Sequence, residues 1–284
     1  MNQWHKDIAT WRCGDRWYVS VPFTWQLGKA ELAARAARQE NKALTIVAGG
    51  PAVKLVGAPW ADETPDSCPF DVLAMHNPCA MFSSRGCPHK CPWCAVPKIE
   101  GDFREIDPRH WKMGPLVCDN DITETRCGHF ELLIARLRVF SHVDFQGVNA
   151  ANLKPWHVEG FRNLKSCRLH LGFDHISQEK AVADAVAALR AAGFPALNIS
   201  IYVLIGFRDT PEDALHRLRT VVGWKCRPAP MRFQPLDASE KDAYVAPGWT
   251  EHELRRMLRY FWKYRFHSNT PYEDFRPPQP SLFP

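Results

Sequence analysis

No run of eighteen apolar residues occurs in this 284-residue sequence, and its first residues show no basic stretch followed by an apolar one. The first absence argues against a membrane-spanning helix and the second against a secretory leader, so the expectation is a cytoplasmic protein with no membrane partner. Cysteine, at ten residues, is too sparse for a disulfide scaffold. Charge is not strongly biased either: a formal net charge of +5 permits an anionic partner without demanding one. A hydrophobic content of 45% is enough for one large domain, or a main domain with a small appendage.

What is present is concentrated in one stretch, Ser83-Ser84-Arg85-Gly86-Cys87-Pro88-His89-Lys90-Cys91-Pro92-Trp93-Cys94. Cys87, Cys91 and Cys94 follow a C-x3-C-x2-C spacing, with two prolines and a glycine tightening the loop, and can converge on one inorganic cluster. A cluster used only for electron transfer normally takes four cysteines, and a structural zinc normally closes a four-ligand shell. A compact three-cysteine loop therefore suggests an iron left open to another molecule. A zinc loop completed by His89, in a protein that is not an enzyme, is the competing reading.

In these residues the chain resembles the radical S-adenosylmethionine (radical SAM) superfamily. The resemblance implies a four-iron, four-sulfur (4Fe-4S) cluster held by Cys87, Cys91 and Cys94, with S-adenosylmethionine (SAM) chelating the fourth iron and Trp93 beside its adenine. It also implies an oxygen-sensitive enzyme with an electron donor such as flavodoxin or ferredoxin. The run Ala80-Met81-Phe82 before the loop reads as the first strand of the barrel.

Upstream, Met1 to Arg16 shows no period and is expected to be irregular. Trp17–Val21 reads as a strand, Gly28–Glu40 as a helix and Leu44–Ala48 as a buried strand stopped by Gly49-Gly50-Pro51. This βαβ unit resembles the end of the cobalamin-binding Rossmann domain that precedes the barrel in one radical SAM subgroup. The D-x-H-x-x-G signature that carries the cobalt-ligating His in that domain is absent, which argues against cobalamin.

Downstream, strands are expected at Ala80–Ser84, Pro115–Cys118, Val143–Val148, Lys165–Gly172, Asn198–Gly206 and Met231–Gln234. Helices lie between them. One carries Phe130, Leu133, Ile134 and Leu137 on a face, one opens at Ser177, and one opens at Thr210-Pro211 and buries Leu215, Leu218 and Val222. The alternation argues for parallel βα units, and the resemblance implies the open partial (β/α)6 TIM barrel. A last helix, capped by Thr250 with Glu253, buries Leu254, Met257, Leu258, Phe261 and Trp262. A Pro-rich tail, Thr270–Pro284, is expected to lie extended on the surface. The fold class is thus α/β, organised as a Rossmann-like remnant and linker (1–77), a radical SAM core (78–237), and a C-terminal helix and tail (238–284).

The remaining site candidates follow from position. Asp119 and Asn120 stand where the family has its G-G-E-P-like segment and are candidates for the amino group of SAM. Arg168 is the candidate for its carboxylate, Asp174 for the ribose or the substrate, and Gly206 for close approach of the adenine. Arg232 and Gln234, two apart on the sixth strand, are substrate-pocket candidates. No acid or base is assignable, so the catalytic groups are unknown. Cys118 and Cys127 with Cys68 or Cys79 are a weaker candidate for an auxiliary cluster, since scattered cysteines are usually small buried hydrophobes. The substrate is unidentified. Nucleic acid is one reading, from the basic strip Arg255, Arg259, Lys263 on the last helix, and methylation or rearrangement of a small molecule or peptide is another.

Overall fold

The computed structural model describes residues 4–264 and 269–277. The described residues pack into two compact units, one drawn from residues 4–120 with 234–244, the other from residues 121–233 with the described residues after 244.

The first unit opens with strand β1 (Ala9–Cys13), where an irregular lead-in was expected. It pairs antiparallel with β2 (Arg16–Ser20), from Cys13↔Arg16 to Ala9↔Ser20. The tight link depends on Gly14, at φ +61°, a conformation glycine adopts without steric cost. Helix α1 (Leu27–Glu40) then crosses over, and β3 (Thr45–Gly49) pairs parallel with β2. This is the expected βαβ unit. Helix α1 turns Ala30, Ala34 and Ala37 to the core and leaves Leu32 exposed. Ala34 and Ala37 pack with Leu44 and Ile46. After β3, a Cβ on Gly50 would sit 2.7 Å from the Val21 carbonyl oxygen, so only glycine fits the turn into α2 (Pro51–Val56). Helix α3 (Val72–His76) is capped by Asp71 and leads to β4 (Ala80–Met81).

The strand before the cysteine loop is shorter than expected. It stops at Met81, and Ser84–Arg85 forms a separate strand, β5. The cysteine loop follows with helix α4 (Val96–Ile99), and β6 (Arg104–Glu105) returns antiparallel to β5. β7 (Leu116–Val117) pairs parallel with β4.

The second unit contains α5 (Cys127–Leu137), β8 (Val143–Val148), α6 (Pro155–Arg162), β9 (Cys167–Gly172), α7 (Glu179–Ala191), β10 (Ile199–Ile205), α8 (Pro211–Gly223), β11 (Arg227–Arg232) and α9 (Glu251–Trp262). Its strands lie in the order β11-β10-β9-β8, all parallel. One sheet face is apolar and buried, with Val143, Phe145, Leu169, Leu171, Ile201 and Val203. The sequence reading placed the sixth strand at Met231–Gln234, whereas β11 begins at Arg227. Pro228 and Pro230 obscured it, yet proline is tolerated on an edge strand, where alternate backbone groups have no neighbour to serve.

Helix α7 is entered not at Ser177 but through a short 3-10 turn, Ile176–Gln178, capped by His175. Helix α8 starts at the expected Thr210 cap, but buries Ala214, Arg217, Leu218 and Val221, while Leu215 and Val222 are half-exposed. Thr250 and Glu253 form the expected capping box of α9. Its buried side is Leu254, Met257, Tyr260 and Phe261, with Leu258 half-buried and Trp262 44% exposed. The described part of the tail is anchored: Tyr272 and Phe275 are buried and pack on the Tyr260 ring at 5.3 Å each. Arg256 lies over the Tyr272 ring and donates to carbonyl oxygens of Tyr272, Glu273 and Phe275. Residues 278–284 of the expected surface tail lie outside the described residues. Among the described residues, no helix is long and apolar enough to cross a membrane.

Candidate functional site

The cysteine loop grows from a root built on Ser83, Ser84, Gly86, Glu100, Asp119 and Asn120. Asp119, two residues past the end of β7, is buried. It accepts hydrogen bonds from the Ser83 N–H at 2.7 Å, the Ser83 hydroxyl at 2.5 Å and the Ser84 hydroxyl at 2.7 Å. Burial pushes this carboxyl up, against the hydrogen bonds from Ser83 and Ser84 that favour its charged form. Asn120 donates to the Glu100 carboxylate at 2.8 Å and to the Gly86 carbonyl at 3.3 Å. Glu100 also accepts from the Gly86 N–H at 2.8 Å and pairs with Arg85 at 2.9 Å. Arg85 in turn lies 3.9 Å over the Phe82 ring. Asp119 and Asn120, candidates for the SAM amino group, are thus seen holding the loop to the strand ends. Glu100 is the member of this root that sequence reasoning missed, because nothing local marks a glutamate that closes a loop begun fourteen residues earlier.

Gly86 lets the loop close. Its φ is +75°, and a Cβ there would lie 2.1 Å from the Asp102 carbonyl oxygen. Beyond it, the Cys87 N–H reaches the Gly101 carbonyl at 3.4 Å and the Cys94 N–H the Cys91 carbonyl at 3.0 Å. Cys87, Cys91, Cys94 and Trp93 are all partly accessible. The Val96 N–H points at Cys94 Sγ at 3.4 Å. A backbone donor aimed at sulfur suits a thiolate ligand, since such hydrogen bonds help to set the potential of iron–sulfur centres. The three thiols, none in a disulfide, fit a cluster-binding role as a donor set. The auxiliary candidates are oriented otherwise: Cys118 Sγ faces the Leu116 carbonyl, and Cys127 Sγ faces Glu131 one turn along its own helix.

The first unit also holds a cavity of about 680 Å³ at the C-terminal ends of β2 and β3. Aromatic Trp11, Tyr18 and Phe82 line it, together with Ser20, Gly50, Cys68, His76, Arg85 and Glu100. His76 Nε2 is 2.9 Å from the Ser20 hydroxyl, and its Nδ1 is 2.9 Å from the His5 carbonyl.

In the second unit, Arg168 stands on the polar face of the sheet, 3.7 Å from Asp144. Asp174, just past β9, accepts from the Leu204 N–H at 3.3 Å. Its carboxyl is pushed up to about 6 by burial, opposed by the Leu204 hydrogen bond and the nearby Arg217. Arg217 is itself buried, donating to the Phe173 and Leu204 carbonyls and pairing with Asp209 at 2.5 Å. Gly206, at φ +78°, has Leu254 of α9 in the space a side chain would take, 3.2 Å from an added Cβ. Arg232 and Gln234 do not share a strand face. β11 ends at Arg232, which pairs with Glu251 at 2.7 Å, while Gln234 exchanges hydrogen bonds with Asp242. Of the basic strip on α9, Arg255 stands 4.0 Å from Glu251 and Lys263 is exposed.

Sequence reasoning passed over Asp144, Gln146, His170 and Tyr202, which join Arg168 on one face. The alternations Val-Asp-Phe-Gln and Cys-Arg-Leu-His-Leu carried that signal.

No family model matches the sequence, and no curated protein matches it. Two solved structures of one protein share its fold: the radical S-adenosylmethionine methyltransferase TsrM from Kitasatospora setae. The structure with cobalamin and a [4Fe-4S] cluster bound aligns with TM-score 0.60 and 11% identity over 84% of this chain and 69% of that one. The structure with tryptophan substrate and the SAM analogue aza-SAM aligns with TM-score 0.58 and 12% identity, over 79% and 63% respectively. At these identities the likeness is one of fold: the chain shares the fold of this radical S-adenosylmethionine methyltransferase.

Proposed function

We propose that the protein is a radical SAM enzyme acting on a small molecule or peptide, with Cys87, Cys91 and Cys94 holding a 4Fe-4S cluster within a partial (β/α)6 barrel. The observation that carries this reading is the three-cysteine loop, rooted on the ends of β4 and β7 by Ser83, Ser84 and Asp119 and closed by Glu100. A cluster held by Cys87, Cys91 and Cys94 would supply one electron for reductive cleavage of the carbon–sulfur bond of SAM, yielding methionine and a 5′-deoxyadenosyl radical able to take a hydrogen atom from substrate. The chain's own part is placement. Asp119 ties the loop root down, Glu100 fixes the Gly86 turn, and the Val96 N–H bears on the Cys94 sulfur. An electron donor such as flavodoxin or ferredoxin belongs to this reading.

A second reading, cobalamin-dependent group transfer, has a specific observation in its favour: the cavity beside β2 and β3, in a fold shared with a cobalamin-bound protein. Against it stands the missing D-x-H-x-x-G signature.

One experiment separates these. The protein is reconstituted anaerobically with iron and sulfide, with and without hydroxocobalamin, then reduced with dithionite in the presence of SAM. We expect acid-labile sulfide and 5′-deoxyadenosine, both lost in Cys91→Ala. Bound zinc without sulfide, or 5′-deoxyadenosine from Cys91→Ala, would defeat the cluster assignment. A corrinoid spectrum retained through gel filtration would establish the second reading, and its absence would remove it.

A further inference from the structure

The polar face of the second unit's sheet brings opposite charges together without closing them on one another. Asp144 on β8 and Arg168 on β9 are register partners. Arg168 Nη1 nevertheless lies 3.7 Å from Asp144 Oδ2, longer than the roughly 2.7–2.9 Å of a closed guanidinium–carboxylate pair. Arg168 Nε is buried with no hydrogen-bond partner. His170, two residues along β9, has Nε2 2.8 Å from Asp144 Oδ1, yet neither ring nitrogen makes an aligned hydrogen bond. Gln146 donates to Asp144 Oδ1 at 2.8 Å and accepts from the Tyr202 hydroxyl at 3.0 Å. The Tyr202 ring stacks on His170 at 4.9 Å. Arg168 is 32% exposed against 13% for Asp144 and 11% for His170, so the group opens to solvent on the arginine side.

Buried donors normally find acceptors, and here the Arg168 fork and the His170 ring have capacity left over. Asp144 also has room to accept, since a carboxylate offers about four lone-pair sites. A lone carboxylate or phosphate bound here would meet Asp144, and a lone amine would meet Arg168. A ligand with a carboxylate beside an ammonium meets neither repulsion.

We propose that Asp144, Arg168 and His170 anchor the head group of a free α-amino acid substrate, its carboxylate on Arg168 and His170 and its ammonium on Asp144. Only the word substrate rests on the function proposed above, because binding does not require the cluster. The test is calorimetric titration of the full-length protein with each of the twenty common amino acids, with and without SAM, and with SAM alone. We expect at least one amino acid to bind with a Kd below about 1 mM. Its decarboxylated amine and its deaminated acid should each bind at least about tenfold more weakly. Arg168→Gln and Asp144→Asn should weaken binding to a similar degree at unchanged circular dichroism, with His170→Gln as the substitute should either fail to fold. The proposal is overturned if no amino acid binds, if binding survives the substitutions, or if only the affinity for SAM responds to Arg168→Gln. Loss of this inference with 5′-deoxyadenosine formation intact would leave the proposed function standing, and the reverse result would leave the binding site.

Discussion

Asp174 is a residue on which burial and charge act in opposite directions. Burial lifts its carboxyl to about 6, although Leu204 N–H and Arg217 favour the ionised form. Between the ordinary carboxylate range and about 6, the folded protein therefore binds a proton that the unfolded chain releases. Stability contributed by this group is present at low pH and is lost as pH rises through about 6. A shift of this size corresponds to about 3 kcal/mol at most. Asp174→Asn should remove that part of the slope between about pH 4 and 6.5, which urea unfolding of wild type and variant at several pH values would show. An unchanged slope would mean that the group is not protonated in the folded protein. The role of such residues is poorly legible in sequence. Cys87, Cys91 and Cys94 are readable because their chemistry is local, whereas Asp119 acts on Ser83, thirty-six residues earlier. Nothing near Arg217 in sequence marks it as buried; only the fold sets Asp209 and two carbonyls around it.

Among the elements, the β5–β6 hairpin that carries the cysteines depends most on a single backbone conformation. At Gly86 any side chain would meet the Asp102 carbonyl at 2.1 Å in a left-handed conformation that L residues rarely adopt. Gly86→Ala should cost about 1–3 kcal/mol and leave the reconstituted protein with less than about half the wild-type iron. Gly28→Ala, in α1 with nothing within 4 Å, is the control: it should leave the iron content unchanged and raise stability by up to about 1 kcal/mol. Iron analysis and urea unfolding of both variants would check this, and full iron loading of Gly86→Ala would show that the loop does not need this turn. Element type was largely readable: the βαβ unit, β8 through β10 and the Thr210 and Thr250 caps follow from period and capping chemistry. Where the reading slipped, tertiary context was the cause. The strand before the cysteine loop ends early where the Ser83 N–H and hydroxyl turn to Asp119, and the face of α8 is shifted because a paired arginine could be buried there.

For the molecule as a whole, the net charge of +5 raises the question of nucleic acid. The α9 strip is not a free array, since Arg255 faces Glu251 at 4.0 Å. With at most three phosphates engaged, transfer RNA binding should be weak and should fall about 40-fold between about 50 and 200 mM salt. A gel-shift titration over that range would test it; salt-resistant binding would point to a base-reading surface and favour the nucleobase reading.

By itself, the sequence determined the α/β class, the cysteine loop and the fold relationship, because strand alternation, helix capping and C-x3-C-x2-C spacing act within a few residues. Only the tertiary structure decided that residues 234–244 pack with residues 4–120, that Glu100 closes the cysteine loop, and that Asp144, Arg168 and His170 share one face. Those relations depend on strand register and loop closure between distant segments, and periodicity within a segment carries no information about its distant partner.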